Sequence, residues 1–345
     1  MRLCVFVALI AFVPACRTSG GGNASPSPTP SVSPTPSATP TATPLPLGSV
    51  SSVPVSCPAA GNGVPAGATC SNLTITCPGV PDIVVEAAVS EPSGAATGTV
   101  AMLFGGGGTT FFDQGFPAGY LGKGLRVVQF QFATEWPLSP AGILAAACRP
   151  ATAFRWAFDV PHAAATATAF CVHGHSGGSG ALGETLAHYG GRSFIDYAVE
   201  DAGPVFGRID KGCAAPGGPT TRYVCPQLPN GPFNYVQGAS SIDAWEGTSS
   251  CSGAPSPADL ASWYRDSVVT SSAELSFPQT LVHFWFCANN PNEASGQGSF
   301  FADAVTSSKV VTCITGSCSV EPAWTDPTAK QQMIDTMGTE CLPRH

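Results

Sequence analysis

The chain has 345 residues, of which 43% are hydrophobic and only 10% charged; 14 Lys and Arg stand against 22 Asp and Glu, for a formal net charge of -8. So apolar a chain is not mostly disordered, and an acidic balance without a Lys/Arg cluster argues against nucleic acid or an anionic membrane surface as partner. The 39 glycines and 33 prolines call for many turns and few long helices.

In chain order, the first feature is an address. Arg2 precedes an apolar run over residues 3–13. That run is too short to span a bilayer and suits a signal peptide over residues 1–15. It ends in Val13-Pro14-Ala15-Cys16. These residues resemble a bacterial lipobox, which implies lipidation of Cys16 and a lipid anchor as the only membrane attachment. Pro14 departs from the usual small or hydroxyl residue, and ordinary cleavage after Ala15 with secretion is the alternative. Residues 16–50 form a Pro/Ser/Thr-rich linker, extended and rich in polyproline II. The folded domain is expected over residues 51–345.

Within that domain, residues 73–77 and 83–87 read as opening strands. Residues 98–104 read as a continuous apolar strand that empties into Gly105, Gly106, Gly107 and Gly108. Residues 125–132 read as a strand, 141–148 and 151–158 as helix interrupted by Pro150, 168–173 as strand, 177–189 as helix and 194–199 as strand. Residues 204–256, rich in Gly, Pro, Ser and Cys, read as a loop-rich insertion or lid. A capped helix over 256–268, an apolar strand over 280–287, and a helix, strand, helix series over 300–307, 309–314 and 326–337 complete the pattern. Near-continuous apolar strands alternating with helices predict an α/β fold, with a mostly parallel sheet and helices on both faces.

Of the 14 cysteines, Cys4 is removed with the signal peptide and Cys16 is the lipid candidate. The remaining twelve predict up to six disulfides in an exported chain, each stabilising by about 2–4 kcal/mol. Their spacing leaves the pairing open. No metal and no cofactor is expected, since CxxC and finger spacings are absent. His173 and His175 share a face only while their strand lasts, and a turn motif begins at Gly174.

The chemistry-bearing segment is Gly174-His175-Ser176-Gly177-Gly178, a G-x-S-x-G between a predicted strand and a predicted helix. A serine on such a sharp turn has its Oγ exposed at the sheet's end, and small neighbours permit the bend. The following helix aims N–H groups and its positive dipole end at the same place, where an oxyanion would be stabilised. The glycine loop after Phe104, about seventy residues earlier, supplies further amides. Loop and elbow in this order resemble the α/β-hydrolase superfamily over residues 70–340, with Phe104 where the esterase HGGG loop often has His. The segment from Cys148 to Thr152 looks like the helix before the nucleophile strand. The resemblance implies an eight-stranded, mostly parallel sheet and an active-site order of Ser, acid, His.

It implies Ser176 as nucleophile, with Gly106, Gly107 and Gly177 as oxyanion hole. An acid is expected near Asn290, where the chain has an amide. A His is expected near Cys318 or Ser319, where there is none. The six histidines are 162, 173, 175, 188, 283 and 345. His175 is expected to point away from Oγ, and His283 in V-H-F-W-F reads as a core residue. Glu200, Asp201 and Glu293 are the acid candidates, and Asp201 is the choice for orienting a base the sequence does not identify. Two functional readings follow. One is an exported serine hydrolase acting on a small-molecule or polymeric carboxylic ester. The other is a catalytically inactive binding or structural lipoprotein of the same fold. Six Trp give slight support to a third, carbohydrate binding.

Overall fold

The computed structural model describes residues 43–58, 62–214, 221–222, 225, 231–235, 238–288, 292–316, 318 and 323–345. The predicted signal peptide, Cys16, most of the linker and Asn290 lie outside the described residues.

The sheet begins with a meander of β1 (Ser49–Val55), β2 (Thr69–Thr76) and β3 (Ile83–Ser90), all antiparallel. β3 pairs antiparallel with β5 (Leu125–Phe132), and from there every pairing is parallel: β5 to β4 (Gly98–Leu103), then β6 (Ala169–His175), β7 (Tyr197–Asp201), β10 (Leu281–Cys287) and β11 (Lys309–Ile314). A two-residue pair, β8 (Thr221–Arg222) and β9 (Gly231–Pro232), stands apart in the insertion. The main sheet thus has nine strands in the order β1-β2-β3-β5-β4-β6-β7-β10-β11. All residues of β4, β6 and β7 are buried, as the near-continuous apolar pattern requires of a doubly covered sheet.

Helices cover both faces. α1 (Phe116–Gly122) and α9 (Pro327–Glu340) place Phe116, Tyr120, Met333, Ile334 and Met337 in one core. α3 (Cys148–Asp159), α4 (Gly177–His188) and α8 (Glu293–Ala304) place Phe154, Leu182, Leu186 and Phe301 in the other. Short α2 (Ile143–Ala146), α5 (Ile209–Cys213) and α6 (Ala239–Glu246), with α7 (Pro257–Arg265), fill the connections. The predicted cap on α7 is a full capping box between Ser256 and Asp259. This is an α/β-hydrolase-like fold.

Several boundaries differ from expectation. Pro150 does not interrupt a helix; it lies in the first turn of α3, where a missing N–H costs nothing. β1 starts two residues inside what reads as linker, and its Pro54 is tolerated because the strand lies at the sheet's edge. α1 escaped detection behind its two glycines. The strand expected over 194–199 starts later and runs through Asp201, since Asp196 uses its carboxylate to accept from the amides of Phe170 and Arg344, outside the ladder. Glu200 and Asp201 therefore end β7 and do not follow it.

The twelve cysteines from Cys57 to Cys341 all pair: Cys57–Cys70, Cys77–Cys148, Cys171–Cys341, Cys213–Cys251, Cys225–Cys313 and Cys287–Cys318. Cys171–Cys341 fastens the central strand to the C-terminal segment. Cys213–Cys251 and Cys225–Cys313 tie down the insertion.

Candidate functional site

β4 and β6 are neighbours whose following connections leave in opposite directions across the sheet, β4 leading to β5 and β6 to β7. The crevice beyond the C-terminal ends of two such strands is where open α/β sheets hold ligands. Here the glycine loop leaves β4 and the elbow leaves β6.

Ser176 has φ 51° and ψ -113°, outside the basins that non-glycine residues favour. Two backbone hydrogen bonds hold it there: its N–H donates to Asp201 O at 2.9 Å and its carbonyl accepts from Gly180 N at 2.9 Å. The elbow presses directly on the glycine loop. A Cβ at Gly177 would meet Gly106 O at 1.9 Å, so only glycine permits this approach. The amides of Gly106 and Gly177 donate to no acceptor among the described residues. Gly106 has φ +59°, and Gly107 stands one step further, against Glu135.

Ser176, Gly106 and Gly177 share the wall of a cavity of about 220 Å³. The insertion supplies most of the rest: Val205, Phe206, Ile242 and Trp245 give apolar wall and Ser241 polar rim, to which Glu293 of α8 adds. Of the sequence-chosen site residues, Gly107 and Asp201 do not line it. Asp201 lies behind the elbow, fully buried, with Oδ2 2.7 Å from His175 Nδ1. Burial holds its carboxyl above the usual carboxylate range, and the neighbouring His175 offsets only part of that rise. Glu200 points to the other face, accepts a short hydrogen bond from Ser179 Oγ, and is raised well above its ordinary value by burial.

The histidines are each accounted for. β6 runs through His175, so His173 and His175 do share a face, contrary to the expected early turn, but each has a different partner. His173 Nδ1 is 2.8 Å from Tyr120 OH, and burial lowers its pKa to about 3. His283 sits between Tyr197 OH at 2.8 Å and Thr312 Oγ1 at 2.7 Å, with its pKa lowered to about 4 by burial. His162 bonds Thr99 and Ala165 O, His188 donates to Ser267 O, and His345 lies by Gln279 and Ile195 O. Among the described residues, no imidazole is hydrogen-bonded to Ser176 Oγ. No cluster of His, Cys, Asp and Glu fit for a metal occurs among them, and no helix is long and apolar enough to cross a membrane.

The His175–Asp201 pair escaped sequence reasoning. The two residues are register partners on adjacent parallel strands, and ending the second strand at Val199 hid that relation.

No family model and no curated protein matches the chain. Solved structures do. The chain is similar to the Pyrococcus horikoshii acylaminoacyl peptidase, with a TM-score of 0.50 and 8% identity over 81% of this chain and 42% of that one. A Pyrobaculum calidifontis esterase gives a TM-score of 0.48 and 18% identity over 79% and 85% of the two chains. Acetyl xylan esterase 1 from Thermoanaerobacterium sp. JW/SL YS485 gives 0.45 and 11% over 84% and 88%. At such identities the likeness is one of fold.

Proposed function

We propose that this protein is an exported serine hydrolase acting on a carboxylic ester. The observation that carries the reading is Ser176, held at a strained elbow on the wall of a cavity it shares with two amides that have no acceptor. Strain of this kind, of order 1–3 kcal/mol, persists where the surroundings over-determine it, and it keeps a hydroxyl aimed at one place. Ser176 Oγ attacks the ester carbonyl carbon. The Gly106 and Gly177 amides, with Gly107 behind them, stabilise the oxyanion as charge develops. Asp201 orients the base.

The cavity, at about 220 Å³, lies below the ~300 Å³ of ordinary ligand sites, which favours a short acyl or alkoxy group. The larger part of a polymeric ester would stay outside. The described part of the 204–256 insertion, through Val205, Phe206, Ile242 and Trp245, serves as a cap over the cavity. Six disulfides favour an oxidising compartment, and with the N-terminal signal they support export, with Cys16 as the lipidation site.

One observation favours a second reading, a binding protein that kept the cavity without turnover: no imidazole bonds to Ser176 Oγ. Labelling of the oxidised protein by a fluorophosphonate separates the two. The hydrolase reading expects one label, lost in Ser176→Ala. An unlabelled wild type, folded and disulfide-intact, would leave only the binding protein.

A further inference from the structure

We propose that His175, held by Asp201, is the base that takes the Ser176 proton. The inference rests on the hydrolase reading above and supplies the group that reading lacks.

His175 and Asp201 face each other across β6 and β7, both at strand ends, 2.7 Å apart. A carboxylate accepting from Nδ1–H fixes the tautomer and leaves the lone pair on Nε2. Nε2 of His175 has no partner among the described residues. His173 also has an unpartnered Nε2, but that atom is fully buried among Phe112 and Phe116. The other four imidazoles use Nε2 on a hydroxyl or a carbonyl. His175 is therefore the one imidazole beside the elbow whose free nitrogen is not sealed in core.

The position of that free edge is given by Gly105. A Cβ there would meet Ser176 Cβ at 3.1 Å, His175 Cδ2 at 3.2 Å and His175 Nε2 at 3.5 Å. The nucleophile's carbon and the imidazole's free edge thus border one small gap, kept open by the missing side chain. Phe104, Phe112 and Trp324 surround the ring at centroid distances of 5.3, 5.8 and 5.8 Å, restricting both its tilt and its contact with water. The gap closes on substrate binding, as catalytic hydrogen bonds commonly tighten only in the complex.

The step balances without any further reactant but water. As Oγ bonds to the carbonyl carbon, its proton passes to Nε2 and the carbonyl π pair moves onto oxygen. Collapse of that oxyanion breaks the ester C–O bond, and the leaving alkoxide takes the proton from Nε2. Water then attacks the acyl-enzyme and gives a proton to Nε2. The second collapse releases the carboxylic acid, and Ser176 recovers its proton.

The test is the rate of fluorophosphonate labelling against pH for wild type, His175→Gln, Asp201→Asn and Ser176→Ala, each with its disulfides intact. Expected are a wild-type rate that rises through one inflection in the imidazole range and a loss of about 10³-fold or more in His175→Gln, which also lacks the inflection. Asp201→Asn loses rate on the same scale through the wrong tautomer. In His175→Gly, added imidazole restores part of the rate. A folded His175→Gln that labels at the wild-type rate overturns the inference and leaves the hydrolase reading intact, with Ser176→Ala as its control. A wild-type profile with no inflection in that range also overturns it, and needs no variant to fold. An unlabelled wild type overturns both.

Discussion

The two faces of the central strands bury different sets of polar groups. Alternation along β6, β7 and β10 sends His173, His175, Asp201 and His283 towards α1 and α9, and Glu200 towards α4. On the first face each imidazole has a hydroxyl or carboxylate partner. On the second, carboxyls gather with few donors: Glu184 of α4 is fully buried with no hydrogen bond to either oxygen, and Glu246 of α6 faces Asp266. Burial pushes His173 and His283 towards neutrality by losing protons, and Glu184, Glu200 and Glu246 by keeping them. One fold thereby acquires two opposite pH sensitivities, one on each face of the sheet.

The largest effect expected is on the carboxyl face. Burial raises Glu184 and Glu200 well above the ordinary range, and burial with the nearby Asp266 pushes Glu246 up to about 8. Above the unfolded value of 4.5 the native state holds protons that the unfolded chain has lost. Stability is then fully present below that value and falls as pH rises towards 8, by about 1.4 kcal/mol per pH unit for each proton held. Urea titrations at pH 5.5 and 8 should show the protein weaker at the higher pH. Glu246→Gln should remove on the order of 2 kcal/mol of that difference, discounted because the group is partly exposed. Equal stability at both values would mean that the carboxyls ionise freely and the two faces do not differ. Because α6 also lines the cavity, through Ser241, Ile242 and Trp245, the same rise in pH should loosen its wall.

The imidazole face should show the reverse sign and a smaller effect. His283 has its pKa lowered from 6.5 to about 4. Between those values the unfolded chain binds a proton that the native state refuses, so its contribution is present above 6.5 and falls as pH drops towards 4. The advantage of wild type over His283→Asn should shrink by on the order of 2 kcal/mol between pH 6.5 and 4.5. Thermal midpoints of the two proteins at both values measure it. A constant difference would show that native His283 takes up its proton as readily as the unfolded chain does.

This division was only half legible in the sequence. The elbow could be read, and so could the glycine loop, β5 and the parallel architecture, because each follows from local chain chemistry: apolar runs, glycines at a bend, a serine between strand and helix. What could not be read depends on chain segments meeting at a distance. Tyr120 reaches His173 from α1, a helix whose Phe116, Pro117 and Gly119 look like a turn until Phe116 and Tyr120 are seen buried. Asp201 reaches His175 only because β7 ends two residues later than its apolar pattern suggests. The disulfide pairing was equally closed to a reading by spacing, since Cys171–Cys341 spans 170 residues.

The smallest and sharpest comparison pairs one hydroxyl from each face. Tyr120 OH is the hydrogen-bond partner of His173, and Ser179 Oγ that of Glu200. Tyr120→Phe leaves a fully buried imidazole without any partner, since Nε2 already has none, and should cost about 1–3 kcal/mol. Ser179→Ala removes the one interaction that draws Glu200 towards ionisation, so the carboxyl remains neutral over a still wider pH range and the cost should be about 1 kcal/mol. The discriminating quantity is the pH slope, not the size. Below about pH 6.5 the penalty of Tyr120→Phe should change little, because His173, with its pKa near 3, stays neutral with or without the phenol. The penalty of Ser179→Ala should grow with rising pH, because the hydroxyl is what eases the charged form of Glu200. Urea midpoints at three pH values decide it, and parallel slopes for the two variants would mean that the faces obey one rule after all.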